Sequence, residues 1–145
     1  MFLELSIVIP VFNEEAIVAD SVAGLLDRLA PVSGSFEILL AENGSTDRTL
    51  EVVRELERRH PEVRHLHHAE PNYGAALKNG IREAGGRVVV CDEIDLCDTE
   101  FYKRAMRVLR ADEADMVVGS KLAPGAEDER PWLRHLATQG LNGIL

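Results

Sequence analysis

The sequence predicts an α/β protein with a mostly parallel sheet and helices on both of its faces. Short apolar runs alternate with longer stretches in which apolar residues recur at helical spacing. The run LSIVIPV (5–11) is apolar without strand-like alternation, which is typical of a strand covered on both faces. Alternation of strands and helices predicts parallel pairing, because parallel strands need a crossover connection that is usually a helix.

Each predicted element follows from a local pattern. The first helix, 14–30, carries apolar residues three and four positions apart and ends at a Pro-Val-Ser-Gly segment. The second strand, FEILLA (36–41), is again apolar, and the turn ENGS follows it. The next helix runs to about Arg59, with Ser45 or Thr46 as its predicted capping residue.

The second half of the chain continues the alternation. Asp98 or Thr99 can cap the last helix, and a Gly-Gly pair ends the helix before it. The remaining predicted elements are a third strand over 62–68, a helix over about 73–84, a fourth strand over 87–92, a helix through DTEFYKRAMRVLRAD and a fifth strand over 114–120.

Composition narrows the class of partner. The 145 residues suit one domain with a substantial core. Sixteen basic and twenty-five acidic residues give a net charge of −9. This charge argues against nucleic acid as a partner, because phosphate backbones are held mainly by Lys and Arg. A phosphorylated ligand would need a divalent cation beside it.

The chain shows no targeting pattern. No apolar run approaches the roughly 20 residues of a membrane-spanning helix. The N-terminal segment MFLELSIVIP lacks a basic leader and a small-residue cleavage site, so we predict no signal peptide. Cys91 and Cys97 are then expected to be reduced thiols in a cytoplasmic protein.

Polar residues follow almost every predicted strand. The first strand ends in PVFNEE, the second in ENGSTD, the fourth in DEIDLCD and the fifth in GSK. In parallel α/β sheets, ligands bind outside the carboxyl ends of the strands. These segments are therefore the predicted location of a site.

Glu93 and Asp95 are the strongest candidates for metal ligands. They follow the fourth strand and flank the apolar Ile94. If the chain is extended there, both carboxylates point to one side. Two carboxylates with an open coordination sphere suit Mg2+ or Mn2+ that bridges the oxygens of a diphosphate. The alternative is a solvated acidic loop in which Asp98 caps the following helix.

The other strand ends offer weaker signals. Glu42 directly follows ILLA and could accept hydrogen bonds from a nucleobase edge, although Asn-Gly followed by Ser and Thr is also ordinary turn-and-cap chemistry. Phe12 offers a flat face and Glu14 an acceptor, but Glu14 also suits a helix start.

Three further patterns bear on metal or nucleotide binding. His65, His67 and His68 alternate like a ligand pair, yet a partly exposed edge strand explains them better. The motifs G-x-G-x-x-G and G-x-x-x-x-G-K-[ST] do not occur, which removes the usual dinucleotide and P-loop interpretations.

Four segments in this order resemble family-2 glycosyltransferases of the Rossmann-like GT-A fold. They are SIVIPVFNEE, EILLAENGSTDRTLEVVREL, PNYGAALKNGIREAGGRVVVCDEIDLCD and DMVVGSK. The likeness runs from about residue 4 to 145 and is nearest to the dolichyl-phosphate mannosyltransferase-like and polyprenyl-phosphate glycosyltransferase branch. Each motif alone is modest, whereas the ordered set is specific.

The resemblance implies a nucleotide pocket built from the first two strand ends. Pro10, Phe12 and Glu14 would line this pocket, with Phe12 where the family often has Tyr. Glu42 matches the acidic residue that reads the base. Asn43 stands where the family has a second Asp.

The resemblance also implies the catalytic centre. Glu93 and Asp95 match the Asp-x-Asp pair that holds the metal and the diphosphate, so they would be both metal ligands and catalytic residues. Cys97 falls where relatives often place Gln, and its thiol is a soft ligand that suits Mg2+ poorly. Lys121 matches a basic residue that faces phosphate.

The same comparison divides the chain at residue 121. Residues 1–121 would form the nucleotide-sugar-binding core, and residues 122–145 would be the incomplete start of the acceptor side. Arg130 and Arg134 then belong either to an acceptor-phosphate loop or to an ordinary solvated loop.

The implied function is inverting transfer of a sugar from a UDP- or GDP-linked donor. The acceptor can be a polyprenyl phosphate at the membrane surface, and the metal stabilises the departing diphosphate. A homodimer and a peripheral position on the inner face of the membrane are further expectations. One alternative is a catalytically silent nucleotide-binding half-domain of a truncated transferase. Another is a nucleotidyltransferase, although PVFNEE is not the glycine- and arginine-rich loop that such an enzyme would carry.

Overall fold

The structure, a computed structural model, describes residues 2–120. Eight elements alternate along the chain. They are β1 (Leu5–Val11), α1 (Val18–Leu29), β2 (Phe36–Glu42), α2 (Thr49–Arg59), β3 (Val63–His67), α3 (Tyr73–Glu83), β4 (Val88–Cys91) and α4 (Thr99–Arg110). The predicted first four strands and all four helices are therefore present.

The four strands form one parallel sheet in the order β3-β2-β1-β4. The chain adds strands on one side of β1 and then crosses to the other side to form β4. This reversal between β1 and β4 is the topological switch point, where α/β sheets bind their ligands. The arrangement confirms the predicted α/β class.

Helices cover both faces of the sheet. Ile7, Ile9 and Ile38 alternate along β1 and β2 onto the face that packs against α1, α2 and α4. Val8 and Ala41 point to the opposite face, where a Cβ placed on Gly80 of α3 would lie 2.4 Å from Val8 Cγ1. Burial on both faces explains why β1 and β2 are mostly apolar.

Two helices begin later than predicted. Residues 14–17 form a turn closed by the Ile17 N–H donating to the Glu14 carbonyl at 3.1 Å, so α1 starts at Val18. The Ser45 or Thr46 cap is also wrong, because α2 starts at Thr49, whose N–H donates to Asp47 Oδ1 at 2.9 Å. Ser45 instead accepts a hydrogen bond from the Asn13 N–H at 3.0 Å.

The predicted fifth strand is absent from the described residues. Positions 114–120 carry neither strand nor helix, and Met116 and Val118 are exposed. An apolar Met-Val-Val segment specifies a strand only when a neighbouring strand pairs with its backbone. By compactness the chain divides into Met1–Ala114 and Asp115–Leu145, and the predicted boundary at residue 121 stays a prediction.

In the part of the chain that the structure describes, no helix has both the length and the apolar character needed to cross a bilayer. Lys121, Arg130 and Arg134 lie outside the described residues, so their predicted roles stay predictions.

Candidate functional site

A cavity of about 270 Å3 opens at the carboxyl ends of β1, β2 and β4. Its lining residues come from four separate stretches of the chain: Pro10, Val11, Phe12, Glu14, Asn43, Tyr73, Glu93, Ile94 and Asp95. Six of the eight residues predicted for the site are in this set. Their roles stay predictions, but the fold brings them to one place.

The acidic turn after β4 carries two of the predicted ligands. Glu93 and Asp95 are exposed on the cavity wall, whereas Ile94 is 4% exposed and packs into the core. The chain is not extended there, because the Leu96 N–H donates to the Glu93 carbonyl at 3.0 Å and closes a turn. Burial of Ile94 still leaves both carboxylates at the surface of the cavity.

Asp92 holds the start of this turn. Its N–H donates to the Val8 carbonyl of β1 at 3.1 Å, which fixes its backbone to the sheet. Its carboxylate accepts the Glu93 N–H at 2.7 Å, the Asp98 N–H at 3.3 Å and the hydroxyl of Tyr102. Sequence reasoning missed this role, although Asp92 is the first acid after the strand and Tyr102 lies on the inner face of the next helix.

Cys97 closes the same turn from behind. It is buried, its backbone is left-handed with φ 46°, and its thiol faces the Glu93 and Ile94 carbonyls, each at 3.6 Å. Burial, together with the nearby charge of Asp92, raises the pKa of Cys97 to about 11. The thiol is therefore neutral and does not line the cavity with Glu93 and Asp95.

Glu42 is committed to contacts inside the fold. It is fully buried, and its two carboxylate oxygens contact the Ser45 N–H at 2.6 Å and His67 Nδ1 at 2.5 Å. Burial alone would raise the pKa of Glu42, but the hydrogen bonds from Ser45 and His67 hold it below its ordinary value. Contact between Glu42 and a nucleobase stays a prediction, and the side chain does not line the cavity.

Asn43 reaches the cavity and also positions α3. Its Oδ1 accepts the Asn72 N–H at 2.6 Å, and Asn72 in turn caps α3 by accepting the Ala75 N–H at 3.0 Å. This chain of contacts places Tyr73, the first residue of α3, at the cavity. Tyr73 is 54% exposed and Phe12 is 43% exposed, so the cavity has two accessible aromatic side chains.

Tyr73 is the second functional candidate that sequence reasoning missed. Partial burial, and then the charge of Glu93, raise the pKa of Tyr73 above its ordinary value, which places the phenol in the field of the acidic turn. The available signal was its position as an aromatic residue at a helix start that follows a strand of the same sheet.

The two carboxylates of the acidic turn suit a hard divalent cation whose remaining ligands are phosphate oxygens and water. Within residues 2–120, no three His, Cys, Asp or Glu side chains come together as a metal site. Glu93 and Asp95 supply two carboxylates on one cavity wall. Mg2+ is typically bound by one or two carboxylates plus phosphate oxygens and water. These two residues would hold such an ion.

The comparisons with known proteins show the family of the chain. The family model described as "Glycosyl transferase family 2" matches residues 6–143. Glycosyltransferase AglD of Haloferax volcanii is 27% identical over 98% of this chain and 23% of its own length. Dodecaprenyl-phosphate galacturonate synthase of Rhizobium johnstonii is 35% identical over 81% of this chain and 36% of its own length.

A solved structure shares the fold. The crystal structure of S. aureus TarS 1-349 in complex with UDP superposes with a TM-score of 0.61 at 20% identity, covering 88% of this chain and 40% of that one. This likeness confirms the predicted Rossmann-like GT-A fold class. The chain spans between about a quarter and two fifths of the length of these relatives.

Proposed function

Since the chain belongs to glycosyl transferase family 2, we propose that it is the donor-binding part of an enzyme that transfers a sugar from a nucleoside-diphosphate sugar. The observation that carries the proposal is the cavity at the switch point. There, Asn43 and the aromatic rings of Phe12 and Tyr73 share one space with two exposed carboxylates. Rings and an amide suit a nucleoside, and the carboxylates suit its phosphates through a metal.

The acidic turn requires a cation between the protein and the donor. Glu93 and Asp95 would repel a diphosphate directly, and the chain as a whole has a net charge of −9. Glu93 and Asp95 would hold Mg2+ or Mn2+, and the ion would neutralise the charge of these two carboxylates beside the phosphates of the donor. An ion held there would supply positive charge for the nucleoside diphosphate that leaves. Lys121 would add a second positive group.

The proposed acceptor is a polyprenyl phosphate. One relative at 35% identity is named as a dodecaprenyl-phosphate galacturonate synthase, which supports this class of acceptor. A phosphate oxygen is already an anion, so its attack on the sugar needs no strong general base. A hydroxyl acceptor would require such a base. A lipid acceptor also implies work at the membrane surface.

A second candidate function is a donor-binding half-domain that does not catalyse transfer. The chain spans 23% and 36% of the length of two relatives, so transfer by these 145 residues has to be tested separately from donor binding. Transfer assays with the 145-residue chain and with a version extended by the remainder of a relative separate the two. Transfer by the extended chain alone would favour the half-domain.

Calorimetry with UDP- and GDP-linked sugars, with and without Mn2+, tests donor binding. We expect one donor class to bind only with Mn2+, and Asp95→Asn to weaken that binding at least about tenfold, because one of two metal ligands is lost. Glu100→Gln is the matched control, since this exposed carboxylate of α4 lies outside the cavity. Equal Mn2+-dependent binding by wild type and Asp95→Asn would refute the metal assignment.

A further inference from the structure

We propose that Asp92 and Tyr102 form a positioning pair that sets the geometry of the metal-binding turn. Neither residue lines the cavity, and neither would contact the metal or the donor. They would act through Glu93 and Asp95, so this inference rests on the proposed function. The ligand is a divalent cation, and the property that the pair controls is its affinity.

Asp92 joins the turn to the sheet. Its backbone N–H is bonded to Val8 of β1, a residue that is completely buried. From that fixed point, Oδ1 holds the Glu93 N–H at 2.7 Å and Oδ2 receives the Asp98 N–H at 3.3 Å. One carboxylate therefore binds the residues on both sides of the segment that carries Asp95.

Tyr102 fixes the orientation of that carboxylate. The side chain is completely buried on α4, where it belongs to the core cluster with Met106, and its hydroxyl donates to Asp92 Oδ2. A ring locked by packing cannot follow a rotating carboxylate. The phenol thus selects the one rotamer of Asp92 in which both backbone N–H groups are satisfied.

The rear of the turn has contacts beyond the one with Asp92. Asp98 caps α4 by accepting the Phe101 N–H at 3.0 Å, and the Cys97 thiol contacts the Glu93 carbonyl. These contacts hold the C-terminal side of the turn, and the Asp92 carboxylate, oriented by Tyr102, also holds its N-terminal side at the Glu93 N–H. A backbone held in this way fixes the positions from which the two ligand side chains reach the ion, and loss of partners that support metal ligands typically weakens metal binding by about 10- to 100-fold.

Tyr102→Phe tests the pair with little change of volume. Ser33→Ala is the matched control, because it removes another buried hydroxyl that donates to a carboxylate, Glu4 at 2.7 Å, at the opposite end of the sheet. Mn2+ binding is measured by electron paramagnetic resonance with and without UDP, and thermal unfolding is measured in parallel. We expect Tyr102→Phe to bind Mn2+ about tenfold more weakly than Ser33→Ala, at similar melting temperatures.

The outcomes separate this inference from the proposed function. Wild type that binds no Mn2+, even with UDP present, overturns the proposed metal site and this inference with it. If the wild type binds Mn2+ and the two variants Tyr102→Phe and Ser33→Ala bind it with equal affinity, only the positioning pair is overturned. If Tyr102→Phe does not fold, Asp92→Asn takes its place, and we expect it to bind Mn2+ about tenfold more weakly than Ser33→Ala. An Mn2+ affinity of Asp92→Asn equal to that of Ser33→Ala would then overturn the positioning pair.

Discussion

At one end of the parallel sheet a buried carboxylate has hydrogen-bond and ion-pair partners, whereas at the other end carboxylates line the cavity. At the end where the strands begin, Glu37 is buried, and its oxygens accept the Ser6 hydroxyl at 2.6 Å, the Gly85 N–H at 2.7 Å and Arg64 Nη1 at 2.8 Å. Ser6 Oγ in turn accepts the Gly86 N–H at 2.9 Å. We call this group, Ser6, Glu37, Arg64, Gly85 and Gly86, the closed end.

The carboxyl ends of the strands are built differently. Glu14, Glu93 and Asp95 face the cavity, and within residues 2–120 none of them takes part in an ion pair. At the closed end, the charge of Glu37 is balanced by Arg64. The other end, which we call the cavity end, carries Glu14, Glu93 and Asp95 and has an excess of negative charge that a cation would balance. Substitutions should therefore damage stability at the closed end and ligand binding at the cavity end.

The largest stability effect is expected at Gly86. A Cβ at this position would lie 2.6 Å from the Ser6 backbone nitrogen and 2.8 Å from the Leu5 carbonyl carbon, both in the central strand β1. Because backbone atoms cannot move aside, we expect Gly86→Ala to lower the free energy of unfolding by about 3 kcal/mol or more. Urea denaturation followed by circular dichroism measures this loss.

The neighbouring glycine is the control for that substitution. A Cβ on Gly85 would meet only the Leu3 Cδ2 and Glu37 Oε1 side-chain atoms, at 3.3 and 3.5 Å. Gly85→Ala should cost less than about 1 kcal/mol. Equal losses at both positions would show that close packing against β1 does not set the stability of the closed end.

The sequence predicted the regular parts of both ends for a physical reason. Burial leaves a pattern within each segment of the sequence: apolar runs in β1 and β2 and helical spacing of apolar residues in the four helices. All of these elements are present. In a parallel sheet the carboxyl ends of the strands meet at one edge, so the sequence predicts that the residues after the strands lie together. The cavity contains Phe12, Glu14, Asn43, Glu93 and Asp95 from these segments.

The errors fall where contacts between distant segments decide the structure. Ser45 and Thr46 have good capping chemistry, but Asn13 binds both of them across the ends of β1 and β2. Glu42 is likewise paired with a distant residue, His67, and with the Ser45 N–H, while its contact with a nucleobase stays a prediction. No local pattern in the sequence records such pairings.

The second prediction concerns acid unfolding at the closed end. Burial alone would raise the pKa of Glu37, yet the hydrogen bonds from Ser6, the Gly85 N–H and Arg64 hold it below the ordinary value of 4.5. A lowered pKa stabilises the fold above pH 4.5, and this stabilisation is lost as pH falls through the folded-state pKa. Glu37→Gln should cost about 2 kcal/mol at pH 7 and progressively less below pH about 4.5.

Denaturation curves of wild type and Glu37→Gln between pH 7 and 3 measure this convergence. Glu51→Gln is the control, because its ion pair with Arg48 is exposed and should contribute less than about 0.5 kcal/mol at any pH. A difference between wild type and Glu37→Gln that stays constant down to pH 3 would contradict the assignment of charge to Glu37.

The smallest expected effect has the opposite sign and belongs to the cavity end. Asp95→Asn removes one negative charge from a turn that also carries Asp92, Glu93 and Asp98, so without metal it should stabilise the protein by about 0.3 kcal/mol at low salt. Glu100→Gln breaks the ion pair with Lys103 and should instead destabilise by a similar amount.

Addition of Mn2+ should reverse the order of stability of these two variants, because only proteins that keep both Glu93 and Asp95 gain the stabilisation that ligand binding supplies. Differential scanning calorimetry with Mn2+ and with EDTA measures both signs. Destabilisation by Asp95→Asn in EDTA would mean that its carboxylate, like Glu37, is satisfied within the fold, and the contrast between the two ends would be lost.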